Sequence, residues 1–122
     1  MAIAIRDKII ENSQPFLQPG EQVQAVIPAQ TASGWLATVP ILSLIINSYS
    51  PVLVTDRRIL LLDSGKWSLG KPKSITAEFP RQIKLGPPSG LWWKCTALGD
   101  RKVYVHKRFH KDVVAADTAI GM

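Results

Sequence analysis

The chain has 122 residues, an apolar fraction of 46%, nine prolines and eight glycines. This length is enough for one domain with a buried core and too short for a second, and the many turn formers favour a mainly β, α+β architecture. A single cysteine, Cys95, excludes an internal disulfide and a multi-cysteine metal site, and it fits a reducing cytoplasm. Charge appears at Arg6 before a long apolar segment can form, so we expect no signal peptide.

Charge is distributed unevenly along the chain. Residues 1–55 carry two basic and three acidic side chains, whereas residues 56–122 carry 13 basic and six acidic ones. The formal net charge of +6 therefore comes entirely from the second half. A basic half favours nucleic acid or an anionic membrane surface as a partner. Because the basic residues are scattered, the solvated faces of an ordinary soluble domain are the favoured alternative.

In chain order, the first predicted element is a short helix over residues 2–12. Its apolar positions, Ile3 and Ile10 among them, lie near one helical face. Two prolines and a glycine follow, which indicates an N-terminal helix and linker over residues 1–19 and a domain over residues 20–122. The alternating stretch "EQVQAVIPAQT" then predicts a first strand.

An uncharged segment follows, because no charged residue or histidine lies between Glu21 and Asp56. We expect an apolar insertion over about residues 31–50, with its most apolar run, "WLATVPILSLII", at residues 35–46. A membrane span needs about 20 apolar residues, and Pro40 interrupts this run. The favoured interpretation is packing against the protein's own sheet; a partner-binding or interfacial element and a transmembrane helix are the alternatives. Periodicity does not distinguish helix from strand in so short a run.

The stretch "PVLVTDRRILLLDSG" predicts a β-hairpin. Two apolar strands, at residues 52–55 and 59–63, are separated by Asp56, Arg57 and Arg58. We expect these charges at the reversal, where a turn faces water and where arginines protect strand ends from association. Contact of Arg57 or Arg58 with a ligand is the alternative.

Four more strands and a helix are predicted after the hairpin. In "SITAEFP", Ile75, Ala77 and Phe79 should face inward, and "RQIKLGPPSG" should begin as a short edge strand before its proline-rich loop. Two further strands, "LWWKCTAL" and "KVYVH", should form a hairpin. Residues 107–121 should form an amphipathic C-terminal helix that buries one face and ends at a glycine; its inward positions are Phe109, Val113, Ala116 and Ile120.

Side chains suited to catalysis or metal binding are few. His106 and His110 are spaced to share a helical face, but no carboxylate or second cysteine accompanies them at ligand spacing. Cys95 lies between Trp93 and Ala97 on one strand face, which favours a buried, inert thiol. We therefore expect no enzyme activity, no catalytic residue, no metal site and no cofactor.

Three segments carry a resemblance to a known family: "LVTDRRILLL" at residues 53–62, "PRQIKLGPPSGLW" at 80–92 and "VHKRFHKDVVAAD" at 105–117. Together with the element order, they resemble the bacterial pleckstrin-homology-like (PH-like) domain family of small actinobacterial-type proteins. The resemblance covers about residues 20–120 and implies a PH-like fold with about seven antiparallel strands in two packed sheets and a C-terminal helix over one open end. The short N-terminal helix predicted above precedes it. It also implies a non-enzymatic binding or assembly module, often oligomeric.

The resemblance does not carry over a lipid ligand. In lipid-binding domains of this fold, the connection between the first two strands holds inositol phosphates through lysines and arginines. The corresponding residues here, about 30–50, are uncharged. Because multiply charged phosphates need several converging cations, we do not expect phosphoinositide recognition.

The leading hypothesis is a cytoplasmic module for protein–protein interaction or self-assembly, through residues 35–46 or an open sheet edge. The alternative is peripheral binding to an anionic membrane at its inner face, through the same segment and nearby basic residues. Binding of single-stranded nucleic acid, through Trp92, Lys94 and Tyr104, is a third and weaker hypothesis. The candidate interface or lipid-contact residues are Trp35, Leu36, Ile41, Leu42, Arg57 and Arg58.

Overall fold

A computed structural model of the chain describes residues 2–31, 49–65, 70–99, 101 and 103–120, and the side chains from Ile5 onward. Within these residues the protein is α+β, with a four-stranded and a two-stranded antiparallel sheet and two short α-helices. Single 3-10 turns, Gln14–Phe16 and Lys107–Phe109, follow the first helix and precede the second. The elements are α1 (Ala2–Ser13), β1 (Val23–Ile27), β2 (Val52–Thr55), β3 (Arg58–Asp63), β4 (Ser74–Pro80), β5 (Trp92–Lys94), β6 (Tyr104–His106) and α2 (His110–Thr118).

The two sheets meet just beyond the end of β1. The strands of the larger sheet are ordered β1-β2-β3-β4, and the smaller sheet pairs β5 with β6. The backbone N–H of Gln30 donates to the Tyr104 carbonyl at 3.0 Å, and the Tyr104 N–H donates to the Gln30 carbonyl at 2.8 Å. The chain that follows β1 therefore runs beside β6 and joins the sheets.

The main core lies between the two sheets and α2. It includes Val54 and Leu61 from the larger sheet and Val105 from the smaller one. Helix α2 and the turn before it contribute Phe109, Val113 and Ala116, so three predicted inward positions are confirmed. The fourth, Ile120, is half-buried beyond the helix, which ends at Thr118. The predicted terminal glycine lies outside the described residues.

A second apolar cluster covers the opposite face of the larger sheet. Ile9 of α1 is fully buried there against Leu53, Leu60 and Leu62. Because helices cover both faces, β2 and most of β3 are buried on both sides, and their sequences read as continuous apolar runs instead of alternating ones. The predicted N-terminal helix is confirmed, and this cluster is the surface that it covers.

The predicted inward position of Ile75 is wrong, because the pairing of β3 with β4 contains a bulge. Leu61 pairs with Ala77 while Leu62 pairs with Ile75, so Thr76 is an extra residue in β4. A bulge reverses the faces on which the following side chains lie. Ile75 thus lies opposite Leu62, whose side chain belongs to the outer cluster, and it is 38% exposed. Ala77 and the nearby Phe79 face the main core, as predicted.

The predicted edge strand at the start of residues 81–90 is also wrong, because this segment is a loop held by side chains. The buried Arg81 guanidinium donates to the Gln24 side-chain oxygen at 2.9 Å and to the Ala116 carbonyl at 2.8 Å. The Asp117 carboxylate accepts from the backbone N–H groups of Leu85 and Gly86. These bonds tie the loop to α2 and to β1, and they replace the ladder that a strand would have formed.

Candidate functional site

The two arginines of the β2–β3 hairpin have different surroundings. The hairpin is confirmed, with Asp56 and Arg57 at its reversal and Arg58 as the first residue of β3. Arg57 is exposed, and its guanidinium donates to the Gln18 side chain at 3.2 Å. The Arg58 side chain is only 12% exposed.

The Arg58 guanidinium is engaged inside the domain. Its Nε and Nη2 donate to the two carboxylate oxygens of Glu21 at 2.9 and 3.0 Å, which makes the pair bidentate. Nη2 also donates to the Phe16 carbonyl at 3.0 Å, and Nη1 donates to Glu78 at 2.8 Å. These bonds tie the segment after α1 to β3 and β4. A bidentate arginine–carboxylate pair is strong as well as geometrically specific.

The Glu21 carboxylate receives further donors, and its side chain is fully buried. It accepts from the Gln18 backbone N–H at 2.9 Å and from the Thr55 hydroxyl at 2.6 Å. The Arg58 hydrogen bonds, with help from these donors, lower the pKa of Glu21 to about 2 from its ordinary value of 4.5, although burial opposes the shift. The same pairing raises the pKa of Arg58. The Glu21–Arg58 pair therefore stays charged at neutral pH and holds the fold together.

The other four candidate residues, Trp35, Leu36, Ile41 and Leu42, lie outside the described residues. The structure does describe the residues on either side of residues 32–48. Gln30 and Tyr49 form an antiparallel bridge, and the Ser50 backbone N–H donates to the Ala29 carbonyl at 3.0 Å. The chain therefore leaves for the apolar insertion and returns from it at one place, beside β6.

An open groove of about 460 Å³ lies at that place, and we call it the aromatic groove. Its size is within the range of about 300–1,000 Å³ that is usual for ligand sites. Residues from α1, the β1 extension, β5, β6 and the turn before α2 line it: Ile5, Pro28, Ala29, Gln30, Tyr49, Trp92, Tyr104, His106, Arg108 and Phe109.

The pairing of β5 with β6 brings two aromatic residues, a histidine and a lysine to one face of the smaller sheet. Trp92 pairs with His106 and Lys94 pairs with Tyr104, so these four side chains share one face. The Trp92 and His106 rings meet edge to face with centroids 5.0 Å apart. Lys94 Nζ lies 6.0 Å from the centroid of the Tyr104 ring. The sequence-based expectation that Trp92, Lys94 and Tyr104 share a surface is confirmed.

His106 presents a defined hydrogen-bond donor to its surroundings. Its Nδ1 accepts from the Arg108 backbone N–H at 3.1 Å. Burial, and then the nearby charges of Arg108 and His110, lower the pKa of His106, so the ring is neutral at pH 7. In a neutral ring whose Nδ1 accepts, the proton is on Nε2. His106 therefore offers an Nε2–H donor.

The two histidines have different partners, since the His106 ring contacts Trp92 and the His110 ring contacts Trp93. The Nε2 of His110 lies 3.2 Å from the Val105 carbonyl, to which it donates. Among the described residues, no group of three histidine, cysteine, aspartate or glutamate side chains is arranged to hold a metal ion.

Cys95 is remote from solvent. It is 2% exposed, burial raises the pKa of its thiol, and its Sγ donates to the Leu85 carbonyl at 3.6 Å. A thiol with a raised pKa forms little of the reactive thiolate. This agrees with the expectation of a buried, inert thiol.

Arg108 is the feature of the groove that the sequence-based reasoning missed. It is exposed, and its guanidinium carbon lies 4.8 Å from the centroid of the Phe109 ring. None of the groove's described lining residues carries a carboxylate. The strand alternation that predicted a shared face for Trp92 and Tyr104 could also have indicated His106. Tyr49 could not be predicted in this way, because its pairing with Gln30 brings it to the groove.

Two further findings bear on the function. None of the helices that the structure describes is long and apolar enough to cross a bilayer. No protein-family profile, no curated protein and no solved structure matches this chain.

Proposed function

We propose that this chain is a non-enzymatic, PH-like binding module that acts in protein–protein interaction or self-assembly. The observation that carries the proposal is the aromatic groove at the base of the apolar insertion. The order of antiparallel strands followed by a C-terminal helix packed on the core supports the PH-like assignment.

The composition of the groove suits a protein partner. Tryptophan, tyrosine and arginine are the residues that most often carry the binding energy of protein interfaces. Trp92, Tyr104 and Tyr49 are half-buried, and Arg108 is exposed beside them. Strand pairing and the Gln30–Tyr104 hydrogen bonds hold the backbone beneath these side chains in place. A preformed surface loses little conformational entropy when a partner binds.

The groove is a better candidate than the open edge of the larger sheet. Strand β4 is the last strand in that sheet, but it carries the bulge at Thr76 and ends at Pro80. Bulges and prolines are devices that protect edge strands from pairing with another chain. Of the two routes to protein contact that the sequence suggests, the edge is therefore disfavoured.

Self-association measured by light scattering and sedimentation tests the proposal. We expect the wild-type protein to form a defined oligomer as its concentration rises, and the double variant Trp92→Ala/Tyr104→Ala to remain a monomer. Leu91→Ala is the matched control, because Leu91 is 52% exposed beside Trp92 and does not line the groove. Circular dichroism checks that both variants are folded.

Two results would contradict self-assembly through the groove. One is a wild-type protein that stays monomeric at every concentration. The other is a double variant that assembles as well as the wild type. If the wild-type protein is monomeric, the peptide measurement proposed below tests contact with a different protein.

Peripheral membrane binding is the second candidate. Tryptophan and tyrosine favour membrane interfaces, and Lys94 and Arg108 supply positive charge near these rings. Flotation with anionic and neutral vesicles at low and high salt tests it. Flotation with anionic vesicles alone, reversed by salt and lost on Trp92→Ala, would support this function over protein contact. Trp35, Leu36, Ile41 and Leu42 stay predicted contacts in either case.

A further inference from the structure

Resting on the proposed function, we propose that the aromatic groove binds an acidic peptide segment that carries an aromatic side chain. The peptide ring packs beside Trp92 and Tyr104, and a neighbouring carboxylate accepts hydrogen bonds from Arg108 and from the His106 Nε2–H. This inference names the chemistry of the partner, which the proposed function leaves open.

The first argument is charge. Of the lining residues that the structure describes, Arg108 alone is charged at neutral pH, since His106 is neutral and none carries a carboxylate. Lys94 lies beside Tyr104 and adds a second positive charge close by. A basic ligand would meet repulsion in this groove, whereas an acidic one would be attracted and held.

The second argument is the balance of hydrogen-bond donors. Arginine and tryptophan side chains donate and do not accept, and the Nδ1 acceptor of His106 is already used by Arg108 N–H. Among the described residues, no acceptor is found for the Arg108 guanidinium. The Arg108 guanidinium therefore has unused donors, and a carboxylate can accept two parallel hydrogen bonds from one guanidinium. The Phe109 ring lies against this guanidinium and favours one orientation of it.

The third argument separates a peptide from a nucleic acid. A single strand needs a row of cations along its backbone as well as stacking rings. The part of the lining that the structure describes supplies one guanidinium, and it includes the apolar side chains of Ile5, Pro28 and Phe109. One carboxylate and one ring match this arrangement more closely than a chain of phosphates does.

Fluorescence polarisation with three labelled pentapeptides tests the inference. The first probe has a phenylalanine flanked on each side by two aspartates. The second replaces the aspartates with lysines, and the third replaces the phenylalanine with glycine. We expect saturable, salt-sensitive binding of the first probe and at least about tenfold weaker binding of the other two, because each lacks one of the two matched groups.

Two arginine variants provide a matched pair. Arg108→Gln should weaken binding of the acidic aromatic peptide about tenfold, because it removes the bidentate contact. Arg101→Gln removes the same charge from an exposed residue outside the groove, and it should change affinity less than about twofold. Trp92→Leu should weaken binding as well, with circular dichroism as a check on folding.

Equal binding of all three peptides, or equal affinity of the Arg108→Gln and Arg101→Gln variants, would overturn the inference. Tight binding of an oligothymidylate that requires Trp92 and Arg108 would overturn the inference and show that the ligand of the groove is a nucleic acid. If the protein self-associates through the groove and yet binds no peptide, the proposed function stands and only this inference fails.

Discussion

Arg58 and Arg108 differ in whether their guanidinium donors have hydrogen-bond acceptors. The Arg58 side chain is 12% exposed and bonded to Glu21, Glu78 and the Phe16 carbonyl. Arg108 is exposed against Phe109, with no acceptor among the described residues. A buried arginine with all its acceptors supports the fold, whereas an exposed arginine with unused donors beside aromatic rings is available to a partner. The acceptors around an arginine therefore indicate its role more clearly than its position in a hairpin motif does.

Replacing Arg58 should give the largest loss of stability. Arg58→Ala leaves the Glu21 carboxylate buried without its counter-ion, which should lower the free energy of unfolding by about 3–5 kcal/mol. Arg57→Ala, at the exposed neighbouring residue, should change it by less than about 0.5 kcal/mol. Urea denaturation of both variants measures the difference. Equal losses would show that the Glu21–Arg58 pair does not stabilise the domain.

Acid should weaken the Glu21–Arg58 pair in a defined pH range. The pKa of Glu21 is about 2 in the folded protein and 4.5 ordinarily, so the unfolded chain takes up this proton first as the pH falls. The contribution of Glu21 is complete above about pH 4.5 and is lost as the pH falls toward 2. Its full size is up to about 3 kcal/mol. Urea midpoints measured from pH 7 to pH 2 should fall more steeply for the wild type than for Glu21→Gln, and parallel curves would contradict this assignment.

Asp112 provides a second buried carboxylate with an incomplete set of partners. Its Oδ1 lies 2.9 Å from Arg6 Nε, but its buried Oδ2 has no partner among the described residues. Burial raises the pKa of Asp112 although Arg6 opposes the shift. Stability is therefore lost as the pH rises from the ordinary pKa of 3.8 through the folded pKa, and Asp112 costs stability at pH 7. Asp112→Asn should therefore change the free energy of unfolding at pH 7 by less than about 1 kcal/mol, because it removes both this cost and the pairing with Arg6.

Glu21→Gln is the comparison for Asp112→Asn, since both keep the size of the side chain and remove its charge. It should destabilise the protein by about 3 kcal/mol at pH 7, because the lowered pKa of Glu21 means that the folded protein favours the charged side chain. Urea denaturation of the two variants under one set of conditions measures the contrast. Equal losses would mean that the number of partners does not decide what a buried carboxylate contributes.

The sequence predicted best what depends on neighbouring residues. Helix α1, strand β4 and the buried face of α2 follow from local periodicity, and the β2–β3 hairpin follows from two apolar runs separated by charged residues. The sequence predicted Arg58 at the solvent-facing reversal of the hairpin. Its pairing with Glu21 could not be predicted, because the two residues are 37 positions apart and no local pattern links them. The edge strand predicted at the start of residues 81–90 is wrong for a similar reason, since long-range side-chain bonds from Arg81 and Asp117 hold this segment as a loop.

The aromatic groove was only partly predictable. Alternation in β5 and β6 brought Trp92, Lys94 and Tyr104 to one face, as expected. The groove also requires the pairing of Gln30 with both Tyr104 and Tyr49, which is long-range. Arg108 lies in a 3-10 turn, where neither strand nor helix periodicity indicates a direction. Local patterns therefore identified Trp92 and Tyr104 in the groove and missed the charged side chain of Arg108.

Arg108→Gln should have the smallest effect on stability, and this is what makes it the most informative variant. Arg108 is exposed, and the contact of its guanidinium within the described part of the chain is with the Phe109 ring, so the free energy of unfolding should change by less than about 0.5 kcal/mol. Peptide affinity should nevertheless fall about tenfold. A loss of stability as large as that of Arg58→Ala would place Arg108 among the structural arginines. Unchanged stability with reduced affinity would separate binding from folding at a single side chain.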